Sequence, residues 1–315
     1  MSKKIVFMGT PDFAVESLKT ILENGTEVAA VITAPDRPAG RGQQLRQSAV
    51  KEFALSKNLK VLQPEKLKNP EFIDELKKVE ANLFVVVAFR MLPEIVWSMP
   101  EKGTINLHGS LLPNYRGAAP INWAVMNGEK ETGATTFFIE KEIDTGNIID
   151  KVVIPIAENE TAGIVHDRLM VAGAQLLANT VEQILEGTVE AVPQSDLIKG
   201  ELKEAPKIFK ADCKIDWTDT VENIHNKIRG LSPYPAAWTQ IEKEDKVKSI
   251  KLFECLKEVT GNNESGKIRI DEGIKFGCSN GWIIINTLQL EGKKRMKAKD
   301  FLQGNSNSLM DAVLI

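Results

Sequence analysis

The chain has 315 residues, 43 % hydrophobic and 26 % charged, values ordinary for a folded globular protein and contrary to disorder or a fibrous architecture. Its length suggests two domains, and three scattered cysteines, Cys213, Cys255 and Cys278, exclude a disulfide framework or a paired-cysteine zinc site. Forty Lys and Arg against 43 Asp and Glu leave a formal charge of −3, which by itself argues against a nucleic-acid partner.

The opening MSKKIVFMG is a short apolar run without the extended core of a signal peptide, and no apolar stretch approaches the roughly 20 residues that cross a bilayer. A soluble, cytoplasmic protein with no membrane partner is expected. A strand at 5–8, a helix at 13–22 and a strand at 28–32 then form a βαβ unit. The pattern continues with a strand at 60–62, a helix at 72–78 and the unbroken LFVVVA run at 83–88, which suits a strand buried on both faces. Strands at 104–107 and 135–139 enclose a helix at 121–126. The expected fold is α/β, a doubly wound, mostly parallel Rossmann-like sheet that binds ligands beyond the carboxyl ends of its strands.

Residues 190–206 are rich in charge and contain Pro193, Gly200 and Pro206, which reads as a linker between a domain at 1–189 and another at 207–315. Beyond it a helix at 221–229 precedes short strands at 237–241, 248–252, 267–270 and 282–288, separated by turns such as GNNESG and SNG. Short strands with regular turn signals predict a smaller β-barrel.

Gly9 ends the first strand and would let backbone approach a ligand, but the GxGxxG spacing is missing and dinucleotide binding is disfavoured. The loop at 34–48 is long, and Arg37, Arg41 and Arg46 lie in it with no acidic residue after Asp36, a composition suited to an anion. Asn106 and His108 stand two apart at the end of an apolar strand, so they share a face that opens onto the ligand crevice. His166 and His225 fall in helical segments among charged neighbours, where structural or surface roles are expected. Asp144, in the loop sequence Asp144-Thr145-Gly146, reads as a turn-former when taken alone. Beside His108, its carboxylate would orient the imidazole.

The segments GTPDFA, PDRPAGRG, INLHGSLLPNYRGAAPI and IDTGNII, in that order, closely resemble the formyltetrahydrofolate-dependent transferases, and within them the bacterial branch that acts on methionyl-tRNA. The match continues through APKIFKADCKIDW, IRGLSPYPAAW and GKKRMKAKDFLQG. The resemblance implies transfer of the formyl group of 10-formyltetrahydrofolate to the α-amino group of methionine on initiator Met-tRNA. It implies Asn106, His108 and Asp144 as the catalytic group, with Ser110, Leu111, Leu112 and Pro113 at the folate and Arg37, Arg41 and Arg46 at the tRNA. No metal is expected, the C-terminal domain should be an OB-type barrel, and a monomer is expected. One departure stands out, since this chain reads AFRMLP where many relatives read AYGxxLP, with Arg90 near the usual glycine.

The weighed alternatives are a formyltransferase for an amino sugar or nucleotide and a non-catalytic RNA-binding protein. Residues 199–315 hold 20 Lys and Arg against 17 Asp and Glu, whereas residues 1–198 hold 20 against 26. A mildly basic second domain behind an acidic first one is the asymmetry expected of a chain whose phosphate-bearing partner is held away from the chemistry.

Overall fold

The computed structural model describes residues 3–39 and 44–315. Within them the chain forms two compact units that are discontinuous in sequence. The first comprises Met1–Gly117, Gly133–Ile154 and Asp167–Lys203, and the second Ala118–Thr132, Pro155–His166 and Glu204–Ile315.

Through the first unit the elements run β1 (Lys4–Gly9), α1 (Asp12–Glu23), β2 (Glu27–Ile32), β3 (Arg37–Ala39), β4 (Gln44–Arg46), α2 (Ala49–Ser56), β5 (Val61–Leu62), α3 (Pro70–Lys77), β6 (Leu83–Val87), α4 (Glu94–Trp97), β7 (Thr104–His108) and the two-residue β8 (Arg116–Gly117). After α5 (Pro120–Met126), which belongs to the second unit, come β9 (Glu131–Phe138), β10 (Ile148–Pro155) and the long α6 (Ala162–Glu186), whose first residues also lie in the second unit. The main sheet has the order β10-β9-β7-β6-β1-β2-β5. Its pairs from β7 through β6, β1 and β2 to β5 are parallel, and β7–β9 is antiparallel.

All five residues of β6 are buried, the consequence of helices covering both faces of a parallel sheet. One face buries Val6, Met8, Ile32, Phe72, Leu76, Phe84 and Val86 in a common cluster. Helix starts are set by side chains as well as by packing. The Ser48 hydroxyl accepts the Lys51 N–H at the head of α2, and the Asn69 carboxamide oxygen accepts the Glu71 N–H at the head of α3.

The second unit contains β11 (Glu204–Ala205), α7 (Val221–Leu231), β12 (Ala237–Lys243), β13 (Lys246–Val259), β14 (Ile268–Ile270), β15 (Ile274–Cys278), β16 (Gly281–Leu290), β17 (Met296–Lys297), α8 (Ala298–Asn305) and β18 (Val313–Leu314). The sheet order is β14-β15-β16-β13-β12-β18, with β17 on β16, and every pair is antiparallel. The Leu314 N–H donates to the Gly266 carbonyl at 3.0 Å, bringing the last strand to the start of β14 and nearly closing a barrel. Ile224, Ile228 and Leu231 of α7 fall at helical spacing and join the barrel core. Trp217 meets Phe276 edge-on at 5.4 Å there and donates its indole N–H to Thr239.

The α/β sheet and the barrel match the expected fold class. Several elements differ from the sequence reading. The loop at 34–48 carries the hairpin β3–β4, and α2, β10, β15 and α8 have no counterpart in it. All three cysteines are free and buried.

Candidate active site

The site grows from the carboxyl end of β7. Asn106 pairs across to Val86 of β6 and Phe137 of β9, and His108 stands opposite Thr135 of β9. With i and i+2 on one pleat, Asn106 and His108 share a face. Asn106 is half-buried, and among the described residues its carboxamide has no hydrogen-bond partner.

His108 is only 7 % exposed. Its Nε2 lies 2.8 Å from the Tyr115 carbonyl oxygen. A carbonyl can only accept, so Nε2 carries the proton and Nδ1 is the ring nitrogen left open in the neutral imidazole. Nδ1 faces Asp144 Oδ2 at 3.8 Å. The same carboxylate oxygen accepts the Gly117 N–H at 3.0 Å. Two loops therefore meet the two nitrogens of the imidazole, and both do so at unusual backbone. Tyr115 has φ of 60° and Asp144 φ of 55°, left-handed values at non-glycine residues. At Gly146 a Cβ would stand 1.8 Å from the Phe138 carbonyl oxygen, so the turn that presents Asp144 requires glycine there.

In the segment Ser110 to Pro113 the side-chain hydroxyl and several backbone groups are already paired within the protein. Ser110 Oγ donates to the Asn114 carbonyl at 2.7 Å. Thr135 Oγ1 donates to the Ser110 carbonyl at 2.7 Å and accepts the Leu112 N–H at 3.2 Å. Ser110, Leu112 and Pro113 are buried and Leu111 is half-buried, so the segment offers shape rather than side-chain hydrogen bonds.

Packing also requires glycine at position 9. A Cβ there would lie 2.6 Å from the Ala14 Cβ and 3.1 Å from the Val87 carbonyl oxygen. The AFRMLP segment begins at Ala88, exposed and at φ of 46°, and continues to Met91, 73 % exposed. Arg90 donates to the carbonyls of Glu65 (2.8 Å) and Pro64. Burial and then the nearby Arg37 charge hold its pKa below the usual guanidinium value.

Arg37 and Arg46 are exposed and stand directly opposite one another in the β3–β4 hairpin. Arg41 lies outside the described residues. Asp36 does not neutralise the pair, because its carboxylate accepts from Lys51 Nζ at 2.6 Å and Gln63 Nε2 at 2.8 Å. Those hydrogen bonds, Lys51's first, hold its pKa below the ordinary carboxylate value. The expected structural role of His225 holds. It is buried in α7, its Nε2 is 3.1 Å from Asn159 Oδ1, and burial pushes its pKa down to about 4.

Sequence reasoning missed Thr135 and Gln194. Gln194, in the segment read as a linker, is 3 % exposed and bonds to the Asp144 loop. A polar β9 residue facing the His108 strand was the available signal for Thr135, whereas nothing local marks Gln194.

A parallel α/β sheet carrying an Asn-x-His strand end, a facing aspartate loop and a following barrel defines a group-transfer enzyme of one class, and the chain belongs to the formyl transferase family. The family model described as formyl transferase matches residues 3–181, and that described as formyl transferase, C-terminal domain, matches residues 207–306. Within that class, two similar curated relatives are methionyl-tRNA formyltransferases. The methionyl-tRNA formyltransferase of Phocaeicola vulgatus is 55 % identical over 312 residues, 97 % of this chain and 96 % of that protein. That of Parabacteroides distasonis is 53 % identical over 308 residues, covering 96 % and 95 % respectively.

Among solved structures, an N-formyltransferase from Helicobacter canadensis in complex with folinic acid and dTDP-3-aminofucose has a TM-score of 0.66 at 23 % identity, covering 94 % of this chain and all of that one. HypX from Aquifex aeolicus in complex with tetrahydrofolic acid has a TM-score of 0.63 at 18 % identity, covering 96 % of this chain and 47 % of that one. At these identities the likeness is one of fold. Among the described residues no helix is long and apolar enough to cross a membrane.

Proposed function

We propose that this chain transfers a formyl group from 10-formyltetrahydrofolate to the α-amino group of methionine on initiator Met-tRNA in the cytoplasm. The observation that carries the reading is the placement of Asn106, His108 and Asp144 on one unit at the carboxyl end of β7, in a chain half-identical over nearly its whole length to methionyl-tRNA formyltransferases. The co-substrate supplies the formyl carbon and leaves as tetrahydrofolate. Exposed apolar groups suit its ring: Ala88 and Met91 follow β6, and Ile143 adjoins Asp144. Ser110, Leu111, Leu112 and Pro113 would form the folate wall by shape.

The attacking amine must lose a proton while the carbonyl oxygen gains charge. Asn106, whose carboxamide has no hydrogen-bond partner among the described residues, donates to the developing oxyanion. His108 has Nε2–H committed to Tyr115, so Nδ1 is the nitrogen that receives the amine proton, which passes on to the folate N10 as its bond to the formyl carbon breaks and tetrahydrofolate leaves. Asp144 faces Nδ1 and steadies the cation formed there. Residues 1–189 carry this chemistry, residues 190–206 connect, and residues 207–315 contribute to tRNA binding together with Arg37, Arg41 and Arg46. The opposed Arg37 and Arg46 support that assignment, since like charges across a ladder are unfavourable until an anion meets them.

The test is an assay with purified protein, 10-formyltetrahydrofolate and Met-charged initiator tRNA. Formyl-Met-tRNA should accumulate. Formylation of a free amino sugar or nucleotide in place of the charged tRNA would favour the small-substrate reading, and binding of tRNA without turnover the non-catalytic one.

A further inference from the structure

We propose that Gln194 is a positioning residue for formyl transfer, holding Asp144 against His108. The inference rests on the catalytic reading of Asn106, His108 and Asp144. The Gln194 Nε2 donates to the carbonyls of Asp144 (2.9 Å) and Gly146 (2.8 Å). Its Oε1 accepts from Arg116 Nε (3.1 Å) and Nη2 (2.7 Å). Both donor hydrogens and both acceptor lone pairs are thereby used, in a side chain 3 % exposed. The amide orientation is fixed by chemistry, because a flipped group would set its oxygen against two carbonyls and its N–H groups against a guanidinium.

The two ends of this clamp are the two loops that meet at the imidazole. Arg116 lies between Tyr115, whose carbonyl accepts from His108, and Gly117, whose N–H donates to the Asp144 carboxylate. The other end holds the carbonyl of Asp144 itself. Asp144 sits at φ of 55°, a conformation that a non-glycine residue keeps only when its surroundings impose it. The bonds from Gln194 hold it there together with the Gly117 N–H on the carboxylate. Without them the Asp144 backbone can relax to negative φ, which swings the carboxylate away from Nδ1. Gln194 touches no reacting atom in this arrangement and acts through Asp144.

The experiment compares Gln194→Ala and Gln194→Glu with the wild-type chain. The glutamate keeps the size and the Arg116 contact but turns a carboxylate toward two carbonyls, so it breaks the Asp144 end alone. For both variants kcat with Met-tRNA should fall about tenfold to a hundredfold, with KM for 10-formyltetrahydrofolate within about threefold of wild type and a displaced pH–rate profile. In substrate-free protein the His108 imidazole resonances, assigned with a His108→Asn variant, should move in Gln194→Glu. Unchanged resonances and kcat within about twofold of wild type in Gln194→Glu would overturn the proposal. Should Gln194→Ala fail to fold, Gln194→Glu decides. If the wild type does not formylate Met-tRNA, the functional reading falls, and the resonances alone judge the clamp.

Discussion

Two loop regions of the first unit handle their polar groups in opposite ways. In the turn from His108 to Gly117 and the Asp144 loop facing it, backbone and side-chain groups are committed to one another: Ser110 to Asn114, Thr135 to Ser110 and Leu112, Tyr115 to His108, Gly117 to Asp144. In the β3–β4 hairpin, Arg37 and Arg46 oppose each other in the open, and the nearby Asp36 is taken by Lys51 and Gln63. The first pattern keeps a reacting geometry rigid before substrate arrives, which is what electrostatic stabilisation of a transition state needs. Among the described residues the second leaves two arginines without an acidic partner, open to an anion that arrives from outside. The exception inside that region is Asn106, whose carboxamide has no partner among the described residues and is the group proposed for the oxyanion.

The sharpest way to break this contrast is to remove that group. Asn106→Ala should lower kcat by about a hundredfold or more with the fold intact, and a loss under about tenfold would deny Asn106 the oxyanion role. His108→Ala and Asp144→Ala should be comparably impaired in steady-state assays.

The contrast extends to the second unit, where His225 is another buried, committed polar group. Its pKa of about 4 results first from burial, with Arg229 and Lys257 lowering it further and Glu158 opposing. Below about pH 6.5 the unfolded chain takes up a proton that the folded chain refuses. Stability from this residue is therefore complete above about pH 6.5 and is lost as pH falls toward 4, by up to about 3 kcal/mol. Urea unfolding across that range should show the decline, and His225→Gln should flatten it.

Thr135→Val keeps the shape but strips the partners from the Ser110 carbonyl and the Leu112 N–H. A loss of about 1–3 kcal/mol is expected in denaturant unfolding. The hairpin should behave in the reverse sense. Arg37→Ala combined with Arg46→Ala should leave thermal stability unchanged or slightly raised, since a like-charge pair is removed. KM for Met-tRNA should rise about tenfold and the salt dependence should become shallower, with folate use unaffected. A drop in stability with unaltered tRNA kinetics would erase the distinction between the two regions.

Much of this was legible in the sequence because it is local or periodic. The buried strands β1, β2 and β6 announce themselves as apolar runs, and Asn106 and His108 share a face by simple alternation. Strand β10, IIDKVVIP, lies at a sheet edge with a mixed burial pattern and offers neither alternation nor an apolar run. Helix α8, AKDFLQGN, is short and holds a glycine. Gln194 illustrates the deeper limit. Its partners are 50 residues away at Asp144 and 78 away at Arg116, and it sits among Pro, Ser and Asp that read as connector. Contacts at that range leave no mark in local composition.

The carbonyl that anchors the His108 imidazole belongs to the backbone of Tyr115, itself held at a left-handed φ. No exchange of one side chain for another can delete that oxygen, so a complete substitution scan of the chain would leave this contact to His108 without a score of its own. It becomes visible only to chemistry that edits the main chain, such as replacing the Tyr115–Arg116 amide by an ester or thioamide, which weakens the acceptor while every side chain stays in place.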